Sequence, residues 1–243
     1  MKRQLLLLAA LFTLLTGTAQ GTQEPITGNG NKVKQEKTIT AYQSLRISGP
    51  FEVILMSDEH DNVLTLEGSE NIVNLLEVKN SNDTLYIGLP KGLNFRAHKN
   101  NKVKIKVPYY TSLNNIYLKR SGTVNSKAAL RNNVKVQLEG SGYIDLRIFN
   151  ASSEAYVLGS GNITLKGTVQ DFKCKVIGSG NIEAKRLECA NVDIDLSGSG
   201  TADIVCNKAI KGKISGSGKV VIAGHPKEQD LKRQGTGEFT AAL

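Results

Sequence analysis

From Ile116 onward, apolar residues fall at alternate positions in short runs, and the runs recur. The second glycine of each Ser-Gly or Gly-Ser-Gly unit serves as a ruler: Gly122, Gly142, Gly161, Gly180, Gly200, Gly218, and Gly237 in the variant GTG. Successive marks lie 20, 19, 19, 20, 18 and 19 residues apart. Two residues after the ruler stand Val124, Ile144, Ile163, Ile182, Ala202, Val220 and Phe239. Four before it stand Leu118, Leu138, Val157, Val176, Leu196 and Ile214, with Arg233 breaking the column. Six before it stand Ile116, Val136, Ala155, Cys174, Ile194, Gly212 and Leu231. Such period-two alternation predicts half-buried strands, one before each glycine corner and one after it.

A unit of this size cannot bury its own apolar face, so neighbouring units must stack. Parallel stacking at about 4.8 Å places identical columns over one another. The predicted fold class is therefore all-β: a parallel β-helix, or β-solenoid, with about 19 residues per rung. The glycines serve the tight corner, and the serines, with Asn162 and Asn181 at the next position, are placed to form ladders. A phosphate-cradling loop does not fit, because no helical period follows any of these glycines.

The regular stack is expected over residues 119–243. Residues 38–118 show strand-like runs such as LRISGPFEVILM, DTLYIGL and KVKIKVP without the strict ruler. They predict an irregular β section, either degenerate rungs of the same solenoid or a cap on its open end. SENIVNLLEVKN fits a short helix or a strand. Residues 20–37 are polar and read as a flexible leader. Before them, Lys2 and Arg3, the apolar run Leu5–Leu15 and small residues up to Ala19 predict a signal peptide over residues 1–19. The apolar run is too short for a spanning helix, which needs about 20 residues. No later segment is long and apolar enough, so no transmembrane segment is expected after cleavage. The net charge then falls from +9 to +7 (9 − 2).

The runs LRISGPFEVILM and VPYYTSLNNIYLKRSGTV, followed by reiterated GSGNI units, resemble the putative auto-transporter adhesin family with the head GIN domain. The resemblance covers residues 38–239. It implies a right-handed parallel β-helix in an exported protein of the Gram-negative envelope, and an adhesin-like role. A translocating barrel would need many alternating strands of about ten residues. The chain ends six residues after the last ruler mark, so no barrel is expected in cis, and the periplasm joins the outer-membrane surface and the exterior as a destination.

Candidate chemistry is sparse. His60, His98 and His225 lie far apart, outside any HExxH, Cys-His or nucleophile-elbow pattern. Cys174 falls in an inward column and reads as a small buried hydrophobe. Cys189 and Cys206 fall on adjacent rungs, which leaves a disulfide between them open. The sequence predicts no catalytic residue, no cofactor and no metal site. Five residues after the ruler, Lys127, Arg147, Lys166 and Lys185 form a basic ladder, with Asp145, Glu183 and Asp203 two residues before it on the same strands. A solvated face of interleaved signs accounts for this arrangement. The functional reading is a face for an anionic ligand, an acidic glycan or an extracellular matrix or surface protein. Nucleic acid is not expected, since no aromatic residues interleave with the cations. A homo-oligomer is compatible with the pattern. The expected function is a non-catalytic exported envelope protein, an adhesin-like binding module. The alternatives are a glycan-active β-helix lyase or hydrolase using two of the three carboxylates, or a purely architectural envelope protein.

Overall fold

The computed structural model describes residues 24–57, 62–96 and 101–242. The expected signal peptide, His60 and His98 lie outside the described residues. The chain forms a β-solenoid of about 7 turns with rungs about 19 residues apart. Each rung has a leading run before its glycine corner and a trailing run after it. From Tyr143–Gly159 through Asn162–Gly178, Asn181–Gly198 and Thr201–Gly216, the trailing run of one rung continues unbroken into the leading run of the next. Adjacent rungs are parallel and in register: Ile144 pairs with Ile163, Ile163 with Ile182 and Ile182 with Ala202. The predicted inward columns form the core, and Leu138, Val157, Val176, Leu196 and Ile214 are all buried.

The corner explains why Gly-Ser-Gly recurs. Its two glycines answer different demands. Gly159 has φ +121°, a region L-residues rarely adopt. Gly161 has no such torsion, but an added Cβ would lie 2.7 Å from the carbonyl oxygen of Gly142 on the rung beside it. The first glycine makes the turn, and both let rungs approach, since a Cβ on Gly159 would itself lie 2.7 Å from the Gly140 carbonyl oxygen. The side chains between and after them form the ladders that the spacing predicts, with Ser179 Oγ 3.1 Å from Ser199 Oγ and Asn181 Nδ2 donating to Asn162 Oδ1 at 2.8 Å.

The section before Leu118 is both a set of rungs and a cap. Ser44–Ser48 pairs in parallel with Asn115–Arg120, and Glu52–Ser57 with Thr123–Ser126, so the ladder continues across residue 118. On the other side of that rung lie Thr84–Gly88 and Lys104–Tyr109, again parallel. Spatial order therefore departs from chain order: the first rung of the chain sits between the second and the third. Antiparallel strands close this end. Glu77–Ser81 pairs with Thr84–Gly88, and Val63–Ser69 pairs with Lys104–Tyr109. Glu70–Val73 forms one helical turn.

Residues 32–37, expected to lie in a flexible leader, instead belong to the strand Lys32–Thr38, which pairs antiparallel with Val63–Ser69 along its whole length. Its alternate residues are half-buried and exposed, as on an edge strand. The polar composition suggested a leader, yet an edge strand facing water on one side is polar for the same reason.

Candidate functional site

The stack carries two outward faces, one on the leading runs and one on the trailing runs. On the leading face, the column seven residues before the ruler reads Lys135, Glu154, Lys173, Asp193, Lys211 and Asp230. Each is the register partner of the next. The signs alternate without exception over six rungs. A groove of about 630 Å³ crosses the five rungs from Glu154 to Asp230, and a second of about 440 Å³ adjoins it. The two share Lys173, Asp193, Lys211 and Asp230 as lining.

The ends of this column are tied down. Lys135 Nζ lies 3.7 Å from Glu154, and Asp230 lies 3.3 Å from Lys232. The Glu154 carboxylate also accepts the Tyr156 hydroxyl at 2.9 Å. Burial, then that hydrogen bond, pushes the phenol up to about 12. In the middle, Lys173, Asp193 and Lys211 are exposed and form no ion pair within 4.0 Å among the described residues.

The trailing face holds the residues that sequence spacing singled out. Asp145, Thr164, Glu183 and Asp203 form one register column. Lys166 Nζ bonds Asp145 Oδ2 at 2.8 Å across the rung boundary, so its charge is already matched. Arg147 pairs with Lys166, but the register slips between Thr164 and Lys166, so Lys166 pairs next with Arg186. Lys185 therefore sits in the bulge, exposed beside the ladder rather than on it. Lys127 also stands outside it. Pairing with the neighbouring rung stops at Asn125–Asp145 and resumes at Leu130–Ile148, with Lys127 in the bend between. The exposed cations near this edge are thus Arg147, Lys185 and Arg186, and Arg186 was hidden by a one-residue bulge that spacing does not reveal.

The cysteines are all buried free thiols. Cys189 and Cys206 are register partners. Cys206 Sγ donates to the carbonyls of Ala209 and Ala190. Burial first, and then the neighbouring Cys206, pushes the Cys189 thiol up to about 12, and burial drives Cys174 well above its ordinary value. These are packing thiols, protonated at neutral pH. His225 is exposed. Among the described residues, no three His, Cys, Asp or Glu side chains are grouped to hold a metal ion.

Residues 41–226 match the family model described as putative auto-transporter adhesin, head GIN domain. Among solved structures, the chain is similar to a putative adhesin from Bacteroides fragilis, at 24% identity and TM-score 0.79, over 89% of this chain and 100% of that one. It is also similar to a putative lipid binding protein from Parabacteroides distasonis, at 20% identity and TM-score 0.74, over 90% of this chain and 100% of that one. A putative adhesin from Parabacteroides merdae aligns at 18% identity and TM-score 0.69, over 90% of this chain and 99% of that one. These likenesses establish the shared fold. No curated protein matches the chain.

Proposed function

The chain belongs to the head GIN domain family of putative auto-transporter adhesins, and from that premise we propose that it is an exported, non-catalytic, adhesin-like binding module of the cell envelope. The observation that carries this reading is the groove on the leading face, which presents free charged side chains over several rungs of a rigid ladder. A regular solenoid offers an extended surface rather than an enclosed pocket, and that suits a polymeric ligand. Export is supported by the signal-peptide pattern of residues 1–19.

A glycan-cleaving reading is less well supported. Of the three carboxylates considered for it, Asp145 is held by Lys166, and Glu183 and Asp203 are stacked on an open face in the same column. Acid and base roles need two carboxyl groups held in separate environments, whereas these two lie side by side on one outward face.

The basic edge supports a second ligand-facing surface. Arg147, Lys185 and Arg186 are exposed together, with Lys166 partly neutralised behind them. An acidic glycan, or an acidic patch on a matrix protein, is the partner of matching charge.

The test is to incubate the purified chain with acidic and uncharged polysaccharides and with extracellular matrix proteins, and to measure both retention and new reducing ends. Retention without chain cleavage is the expected result. Depolymerisation of any of these glycans would move the enzyme reading to first place.

A further inference from the structure

We propose that the leading-face groove binds an uncharged glycan chain lying along the solenoid axis; this rests on the binding-module reading above and names the ligand class of its main site. The charge pattern selects the ligand. Six carboxylates and five lysines line the two adjoining grooves, so the surface is close to neutral overall. In the column from Glu154 to Asp230, opposite signs follow each other at about one rung spacing, ~4.8 Å, and like signs recur at roughly twice that. A polyanion lying there would meet Asp193 and Asp230, and a polycation would meet Lys173 and Lys211. Each would meet as much repulsion as attraction.

A sugar hydroxyl both donates and accepts hydrogen bonds. A lysine ammonium only donates and a carboxylate only accepts, so an alternating ladder satisfies a run of hydroxyls from both sides. The hydrogen bonds are charge-assisted, and these are the stronger kind. The central residues are also available. Lys135, Asp195 and Asp230 are already in ion pairs, whereas Lys173, Asp193 and Lys211 are not. Had alternation served only to neutralise neighbouring rungs, those three would be expected to close the same way.

A peptide is less suited to this place. An extended peptide gains affinity by pairing its backbone with a free sheet edge. Here every rung from Glu154 to Lys211 is already paired on both sides, and the groove offers side chains alone.

Binding of the full chain to dextran, laminarin and mannan is measured by affinity electrophoresis and calorimetry, at low and high salt, beside heparin and polygalacturonate. The double variant Asp193→Ala/Lys211→Ala keeps the net charge. It is expected to weaken binding to at least one uncharged polymer by about tenfold or more, with an unchanged melting temperature. Wild-type binding to that polymer should hold at high salt. Asn191→Ala, which removes an amide bonded to Asp171 and leaves the ladder intact, is a second probe if the double variant does not fold. Lys79→Ser, an exposed residue of the antiparallel strand Glu77–Ser81 outside both faces, should leave uncharged-glycan binding unchanged. No binding to any uncharged polymer, or binding that survives both groove substitutions, overturns the groove assignment. If heparin still binds in that case, and the binding is lost in Arg147→Ser/Lys185→Ser/Arg186→Ser, the module reading stands without it. If no glycan or matrix protein binds, both readings fall.

Discussion

At the scale of single residues, the corner positions answer substitution in opposite ways. Gly180 has an ordinary torsion, but a Cβ there would lie 2.5 Å from both the Gly161 carbonyl oxygen and Val157 Cγ1. The oxygen belongs to the rung ladder and cannot rotate away. Gly180→Ala is therefore expected to destabilise by about 1–3 kcal/mol, the cost of overpacking a closed site, seen as a lower denaturant midpoint at unchanged slope. Arg120 presents the reverse case. It occupies the register position of Gly140, and its φ is +81°. Arg120→Gly removes a conformation costing about 1–2 kcal/mol in an L-residue and gives back some of that in chain entropy. A rise in stability of up to about 1 kcal/mol is expected relative to Arg120→Ala, which loses the same hydrogen bond to Asn94 but keeps the Cβ, and no gain over that variant would refute the assignment of strain.

The thiols predict a pH dependence. The Cys189 pKa is raised from 9.0 to about 12 in the fold. A group whose folded pKa is raised contributes stability that is complete below its unfolded value and is lost as pH rises towards the folded one. Melting temperature should thus fall between about pH 9 and 12, and Cys189→Ala should flatten part of that slope. Tyr117 and Tyr156, raised to about 12 by burial and by their Glu139 and Glu154 partners, add to the upper part of the same window. The difference between wild type and variant isolates the cysteine.

At the scale of the strand, the alternating column is a property of the stack and not of any one rung. Asp193→Lys would set three lysines at successive positions, 173, 193 and 211. Each like-charged neighbour pair costs roughly 0.2–1 kcal/mol, so a loss of about 1 kcal/mol that shrinks at high salt is expected. A loss unaffected by salt would show packing, not charge, to be at work. This column was open to inspection in the sequence, since it keeps the same step as the glycine ruler. What spacing could not deliver was register. The bulge after Thr164 displaces Lys185 and brings Arg186 into line, and a bulge is a backbone event with no marker in an alternating pattern. The inward columns were legible because burial punishes a one-residue slip along the whole strand. The outward columns carry no such penalty, and there the spacing misled.

At the scale of the whole molecule, the two ends of the described stack differ. One is closed by antiparallel strands, and the outermost, Lys32–Thr38, exposes Lys32, Lys34 and Glu36 at its rim. At the other, Glu228–Gly235 and Glu238–Ala241 pair on one side only among the described residues. Arg233 stands in the column occupied on earlier rungs by Leu118, Leu138, Val157, Val176, Leu196 and Ile214, and it is exposed, where those six are buried. A charge set where an apolar side chain would continue the core is a way to keep a strand edge from recruiting another. Because rungs contact only their neighbours, stability should fall off towards this end. Amides of residues 228–241 are expected to exchange with deuterium well before those of 162–198, and equal protection would contradict a stack that frays from one side. Arg233→Leu tests the guard itself. It extends the apolar column to the last described rung and removes its charge, so light scattering should show concentration-dependent association beyond any that the wild type shows. A variant that associates no more than the wild type would mean that the neighbouring charges of Asp230 and Lys232, and not Arg233, keep the edge from pairing.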